Sequence, residues 1–291
     1  MRDFLRLAQF VAAMIASVFF HVFDPAERMS ETWRFARIAA PVVAGVTFLL
    51  AWEAVVWVND IPPYILPGPW LVAETLWRDG PSLMGSLLVT LKITLAALAA
   101  AIVIGGLLAI LFAQSRLLEL SLFPYAVILQ VTPVVAIAPL IIIWVNNTFL
   151  SLLVCAWIVA FFPIVANTTL GLNSADRNLV DLFRLYGASR WQALRYLRLP
   201  SALPLFLAGV RISGGLALIG AVVAEFVAGT GGAETGLASR ILEAGYRLEI
   251  ARLFAALLLL SLTGIGIFAV LSWVSRLLLA HWHESALPTE D

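Results

Sequence analysis

Asp181-Leu182-Phe183-Arg184-Leu185-Tyr186-Gly187 sets a carboxylate, a guanidinium and several large apolar groups side by side, and Arg190, Arg195 and Arg198 follow. These residue types suit recognition rather than bond chemistry. Leu179, Leu182, Phe183 and Tyr186 fall at i, i+3, i+4 and i+7, one apolar stripe of a helix flanked by charge. Asn178 is the expected N-cap, with Asp181 three residues on. Gly187 supplies a left-handed stop. Ser189 with Gln192 forms a second capping box, opening a helix that Leu199-Pro200 is expected to end. A short helix, a sharp turn and a second short helix would then display apolar groups beside arginines.

Groups able to do covalent chemistry are scarce. The histidines are His21, His281 and His283, all near the termini, so an intramembrane Ser–His hydrolase or a haem site in the interior lacks its key residue. A phosphate-binding loop needs Gly-Lys-Ser/Thr, and the single lysine, Lys92, follows Leu91. Cys155 stands alone in an apolar run, which excludes an intrachain disulfide and a cysteine metal cluster. Ile212-Ser213-Gly214-Gly215-Leu216 imitates an ATPase signature loop but lies inside an apolar segment, where small residues read as helix packing. The glycines of 229–236 read as a turn, and His281-Trp282-His283-Glu284 as a solvated tail. No cofactor is expected, and the chain is not expected to be an enzyme.

Polar groups inside apolar segments are costly and invite a functional reading. Glu53 can face headgroups. Lys92 can snorkel or line a cavity. Glu225 is open to a structural or a pathway role. Gln130, Thr132 and Asn167, near helix-breaking Pro133, Pro139 and Pro163, are candidates with Glu225 for a translocation path.

The elements that must hold these residues are membrane-like. Hydrophobic residues make up 62% of the 291-residue chain, charged residues 12%, and mean hydropathy is +0.98. One soluble core cannot hide that much apolar surface. Six segments approach or exceed the roughly 20 apolar residues of a span, at about 38–58, 83–113, 120–145, 149–170, 203–228 and 253–280. They read as helices, because a spanning segment must satisfy its own backbone and no period-2 strands are present. Residues 8–23 are apolar but short, and read as an interfacial helix in preference to a seventh span or a signal peptide. Placing the N-terminus inside puts thirteen arginines on the cytoplasmic side. Arg78, Arg240, Arg247 and Arg252 lie outside and Lys92 within a span, which accounts for all 18 basic residues. That asymmetry predicts both termini in the cytoplasm. Residues 59–82, with Ile61-Pro62-Pro63, Leu66-Pro67-Gly68-Pro69 and a short amphipathic helix at 72–77, fall outside, as do 228–252. The organisation is a 1–36 N-terminal segment, a 37–280 membrane domain with a polar loop at 173–202, and a 281–291 tail. A basic stripe for nucleic acid is missing.

The loop resembles the signature of ABC importer permeases, which runs Glu-Ala-Ala, three residues, Gly, nine residues, Ile, one residue, Leu-Pro. Gly187, Leu197, Leu199 and Pro200 fall at those spacings. Further stretches resemble the branch that imports nitrate, alkanesulfonates, taurine and thiamine-pyrimidine precursors: Ala138-Pro139-Leu140, Phe161-Phe162-Pro163-Ile164 with Asn167-Thr168, Ser201-Ala202-Leu203-Pro204, Ala208-Gly209-Val210-Arg211 and Ala224-Glu225. Leu66-Pro67-Gly68-Pro69 resembles that branch's entry to its second span. The likeness covers about residues 60–280. Two departures stand out. Asp181-Leu182-Phe183 replaces Glu-Ala-Ala, and Val145-Asn146-Asn147 stands where the branch has a Phe-Gly-like turn.

The resemblance implies an all-α type I importer permease in the bacterial inner membrane: a six-helix polytopic bundle with a coupling helix between spans 4 and 5, working as a homodimer. It further implies a cytoplasmic ABC ATPase that binds the ATP and a periplasmic or lipid-anchored solute-binding protein. On this likeness Asp181, Leu182, Phe183, Arg184, Tyr186, Gly187, Leu197, Leu199 and Pro200 are the ATPase contacts. The solute is a small polar molecule, either pyrimidine-precursor-like or sulfonate- or nitrate-like. The competing class is a secondary transporter, which would normally carry more spans and paired intramembrane carboxylates; Glu53 and Glu225 are its candidates here.

Overall fold

The computed structural model describes the backbone of residues 31–229 and 235–280, with side chains from residue 39. The expected interfacial helix at 8–23, the tail, the three histidines and Gly231 and Gly232 lie outside the described residues. Among the described residues all regular structure is helical. In chain order the helices are α1 (Glu31–Val58), α2 (Pro69–Gln114), α3 (Arg116–Val131), α4 (Val134–Val145), α5 (Thr148–Leu172), α6 (Arg177–Leu185), α7 (Arg190–Ala193), α8 (Leu199–Ala228), α9 (Leu237–Tyr246) and α10 (Ile250–Leu279). A π turn at Leu194–Arg198 joins α7 to α8. The chain divides into two compact units, Met1–Ala73 and Glu74–Asp291.

Among the described residues five helical stretches are long and apolar enough to cross a membrane: Ala39–Val58, Pro69–Gln114, Thr148–Leu172, Arg190–Ala228 and Ile250–Leu279. The expected span at 120–145 is broken into two helices, α3 and α4, bent by 101°, and makes a sixth span if the pair is taken as one. Pro133 is the cause. It has no N–H to donate and forces Thr132 before it to an extended conformation, φ −73°, ψ 122°.

The segment expected outside the membrane before the second span also differs. Residues 72–77 are helical, but they belong to α2, a 46-residue helix more than twice the length a span requires. Gly68 and Pro69 open it, as Pro is tolerated in the first turn where no N–H is needed.

In the larger unit, α5 and α8 form the most intimate pair. Three glycines allow the approach. A Cβ at Gly171 would lie 2.9 Å from Ala202 Cα, one at Gly209 2.9 Å from the Pro163 carbonyl oxygen, and one at Gly220 2.8 Å from Ala156 Cα. Helices in lipid associate through such small-residue contacts, because burying an apolar side chain gains little when the solvent is itself apolar. Ser213 strengthens the pair by donating to the Ala160 carbonyl at 2.6 Å. Gly214 lies against Leu271 and Ile267 of α10. The signature-like Ser-Gly-Gly run is therefore helix packing, as its apolar context predicts.

Candidate functional site

The 173–202 loop folds largely as its sequence reads. α6 begins two residues earlier than expected: Asp176, not Asn178, is the N-cap, its carboxylate accepting from the Asn178 N–H at 2.7 Å. At the other end Gly187 has φ +69°. Its N–H donates to Arg184 O at 3.0 Å and that of Ala188 to Phe183 O at 2.9 Å. This paired bonding is the Schellman motif, which needs a residue without a Cβ penalty at the left-handed position. The second capping box forms in full, with Ser189 N–H donating to Gln192 Oε1 at 2.7 Å and Gln192 N–H donating to Ser189 Oγ at 3.2 Å.

Leu199-Pro200 does not stop the helix. The backbone widens into the π turn, Leu199 N–H donates to Leu194 O five residues back, and Pro200 falls in the first turn of α8. A Pro at a helix start loses no intrahelical bond, so the chain passes from loop to span without a break.

The loop's side chains divide into two sets. Leu179 and Leu182 are about half exposed, while Tyr186 at 84% is almost wholly so. Asp181 and Arg184 are also exposed and pair with each other at 3.5 Å. Phe183 is half-buried. Leu194 and Leu197 are both buried, and Leu194 packs with Ala109, Leu172 and Ala202. Arg198 fastens the same end of α2 by donating to Ala113 O at 2.9 Å. Leu199 is exposed and Pro200 half-buried. An apolar stripe without an internal partner is thus presented on a loop whose inner face is anchored.

The candidate path residues are not gathered at one place by direct contact. Gln130 is exposed on α3. The Thr132 hydroxyl donates back to Ile128 O at 2.7 Å, and Asn167 Nδ2 donates to Pro163 O at 2.8 Å. Lys92 lies with its Nζ 5.0 Å from the centre of the Phe149 ring, a cation–π arrangement.

Glu225 is 1% exposed and tied on both carboxylate oxygens. Thr90 Oγ1 donates to Oε1 at 2.7 Å, and the Ala238 N–H donates to Oε2 at 2.9 Å. Thr90 Oγ1 in turn accepts from the Leu237 N–H at 2.8 Å. The carboxylate and the hydroxyl together cap the start of α9, supplying acceptors to N–H groups that have none within the helix. Glu53 is used in the same way within the smaller unit, Oε2 accepting from the Trp70 N–H at the start of α2 at 3.3 Å. In both cases a glycine makes room. A Cβ at Gly68 would meet the Glu53 carboxylate at 2.8 Å, and one at Gly236 would overlap the Glu225 carboxylate.

Sequence reading missed Thr90. The signal was present: Ser86, Thr90 and Thr94 recur every four residues, a buried polar stripe on an apolar helix. It also missed how Arg78, Arg240, Arg247 and Arg252 are accommodated. Arg240 and Arg247 both pair with Glu243 at 2.8 Å, Arg252 pairs with Glu249 at 3.4 Å and approaches Asp79 at 3.7 Å, and Arg78 pairs with Asp79 at 3.2 Å. The hydrogen bond from Arg240, aided by the charges of Arg247 and Arg252, holds the Glu243 carboxyl below its ordinary 4.5 against a smaller opposing effect of burial.

Apolar helices long enough to cross a membrane, joined by an amphipathic loop, are the build of a multi-pass membrane protein. Residues 101–281 match the family described as binding-protein-dependent transport system inner membrane component. The riboflavin transport system permease protein of Chloroflexus aurantiacus is 35% identical over 264 residues, covering 90% of this chain and 96% of its own length. The formylaminopyrimidine transport permease protein of Halalkalibacterium halodurans is 35% identical over 218 residues, covering 75% of this chain and 86% of its own. The structure of an amino acid ABC transporter shares the fold with a TM-score of 0.58 at 16% identity, covering 70% of this chain and 97% of that one. The chain belongs to this family: it is a type I ABC importer permease of the sulfonate, taurine and thiamine-precursor branch.

Proposed function

We propose that the chain forms the translocation pathway for a small nitrogen heterocycle of pyrimidine or flavin type, and that α6 is the coupling helix against which a cytoplasmic ABC ATPase works. The observation carrying this reading is the stripe Leu179, Leu182 and Tyr186, exposed on an amphipathic loop whose later part is anchored by buried Leu194 and Leu197 and by the Arg198 bond to Ala113 O. A helix free on one face and followed by an anchored segment passes a push from the ATPase into α2 and α8 as a shift between two packings. A separate solute-binding protein delivers the solute on the opposite side, and a second copy of the chain completes the pathway. Both termini lie in the cytoplasm, as the arginine asymmetry supports. The heterocycle reading rests on the riboflavin and formylaminopyrimidine relatives, both 35% identical. The driving force is ATP held by the partner subunit. Gln130, Thr132 and Asn167 remain the proposed path residues, and Glu225 sits at the outer end of the fifth span as a fixed cap.

The test is co-purification from mild detergent of the wild-type chain and Leu182→Asp, with the bound ATPase identified and uptake of labelled riboflavin and formylaminopyrimidine measured beside taurine. The wild type retains an ATPase and the variant loses it while remaining inserted. Equal retention by both would refute the coupling assignment, and uptake of taurine alone would refute the heterocycle.

A further inference from the structure

Two cavities follow one another along the same pair of helices at the loop end of the larger unit. The first, about 460 Å³, is almost wholly apolar and lies between Ile102, Gly106 and Ile110 of α2 and Ala202, Leu203 and Phe206 of α8. One turn further along α2, at Ala113, and immediately before α8, at Arg198, begins a second of about 490 Å³. Its wall carries four guanidinium groups, Arg116, Arg184, Arg190 and Arg198, and no acidic residue. Arg116 is paired with Glu119 at 2.8 Å and Arg184 weakly with Asp181 at 3.5 Å. Among the described residues Arg190 and Arg198 form no ion pair. Thr168, 4% exposed, lines the apolar cavity with a hydroxyl that has no hydrogen-bond partner among the described residues. It lies one turn from the end of α5 at Leu172.

From this sequence of environments, an apolar slot, a lone hydroxyl one turn in and a basic pocket at the rim, we infer a binding site for an anionic phospholipid of the cytoplasmic leaflet. The order matches the molecule: acyl chain, glycerol ester, phosphate. Surplus guanidinium groups attract a phosphate in a way that a zwitterionic headgroup offsets. The Thr168 hydroxyl would find its acceptor in an ester carbonyl, relieving a buried polar group. Charge decides against a second copy of the chain as the occupant, since an apolar slot beside a pocket lined by arginines and no acidic residue suits a ligand that is both apolar and anionic. Because Val180 and Phe183 of α6 also line the basic pocket, the bound lipid would brace the inner face of the proposed coupling helix. The leaflet assignment rests on the orientation proposed above; the lipid contact itself does not.

The test uses the purified full-length chain in detergent, offered dioleoyl-phosphatidylglycerol, dioleoyl-phosphatidylcholine or inorganic phosphate, with retained ligand counted by native mass spectrometry. Phosphatidylglycerol should be retained several-fold more than phosphatidylcholine. Arg190→Gln, which breaks no described contact, should bring the two to parity. Leu107→Trp, at an exposed rim position of the slot, should lower retention of both lipids without altering charge. Equal retention of the two lipids by the wild type, or a preference unchanged in Arg190→Gln, overturns the proposal. Displacement of the lipid by millimolar inorganic phosphate with no effect of Leu107→Trp also overturns it, leaving a free-anion site. A photoreactive side chain at Leu107 in phosphatidylglycerol vesicles gives an independent reading. A lipid adduct supports the site, and cross-linking to a second copy overturns it.

Discussion

Thr90 and Glu225, 135 residues apart in sequence, share a hydrogen bond of 2.7 Å that closes a chain of buried donors and acceptors from α2 through α8 to the first turn of α9. A carboxylate at 1% exposure in a membrane protein is tolerated because both oxygens are occupied by donors. Its position at a helix start adds a favourable interaction with the helix dipole. This arrangement also removes the main support for a secondary transporter. Glu53 and Glu225, the acids such a mechanism would use, are both engaged as helix caps.

Replacing Glu225 with Ala strands the Ala238 N–H and leaves the Thr90 hydroxyl only the long 3.4 Å bond to Ser86 O. The cost is about 1–3 kcal/mol for the buried unsatisfied groups. Amide exchange across Leu237–Tyr246 should accelerate in Glu225→Ala, and less in Glu225→Gln. Thr90→Val should give a similar local loss, and the double variant should cost less than the two single losses added. Strict additivity would show that the two residues do not act as one cap.

Gly236→Ala places a methyl group into the Glu225 carboxylate, and Gly68→Ala sets one 2.8 Å from that of Glu53. Gly236→Ala should destabilise by about 1–3 kcal/mol, as overpacking does, because buried Glu225 is held on both oxygens, and Gly68→Ala should cost less, because half-buried Glu53 can swing its carboxylate aside. Thermal unfolding in detergent reads the loss. Gly45→Ala, where nothing lies within 4 Å, is the control and should be neutral.

Gly187→Leu forces a branched side chain to φ +69°, at a cost of about 1–2 kcal/mol. The Schellman turn should open and α6 lose its fixed angle to α7. With the ATPase bound, hydrolysis should continue while solute uptake falls. Gly187→Asn, which accepts the left-handed region, should restore most of the uptake. Normal uptake by Gly187→Leu would remove the turn from the coupling mechanism.

Glu243 gives a pH dependence of defined sign. Its carboxyl titrates below 4.5 in the folded chain, so the stability it adds is present above 4.5 and is lost as pH falls through the folded value. Amide exchange in α9 should therefore rise on acidification below about 4.5. In Glu243→Gln that rise should be absent, with exchange already faster at neutral pH.

Asn146 shows how a departure from the family pattern is absorbed. It stands at φ 49°, the left-handed position a glycine would fill, and Asn147 caps α5 by accepting from the Leu150 N–H at 3.0 Å. Asparagine is among the few side chains that enter this region at modest cost. Asn146→Val should destabilise the turn between α4 and α5, seen as a lower melting temperature, while Asn146→Gly should be neutral or better.

The sequence alone determined the membrane class, the positions of most apolar segments, the Gly187 stop, the Ser189–Gln192 capping box and the family. Each is a local property: run length, helical period, a residue that tolerates positive φ, or a motif of fixed spacing. Only the tertiary structure decided the rest. The 101° break at Pro133 could have been a kink or a corner, and the passage of Pro200 into α8 depended on a π turn that no propensity announces. The roles of Glu53 and Glu225 turned on which N–H groups arrive beside them from elsewhere in the chain. Thr90 reaches Glu225 across 135 residues, and the apolar and basic cavities lie at the same end of α2 and α8, where Arg198 donates to Ala113 O. Hydrogen-bond partners and cavities are set by what distant segments bring together, and spacing along a single helix carries no record of that.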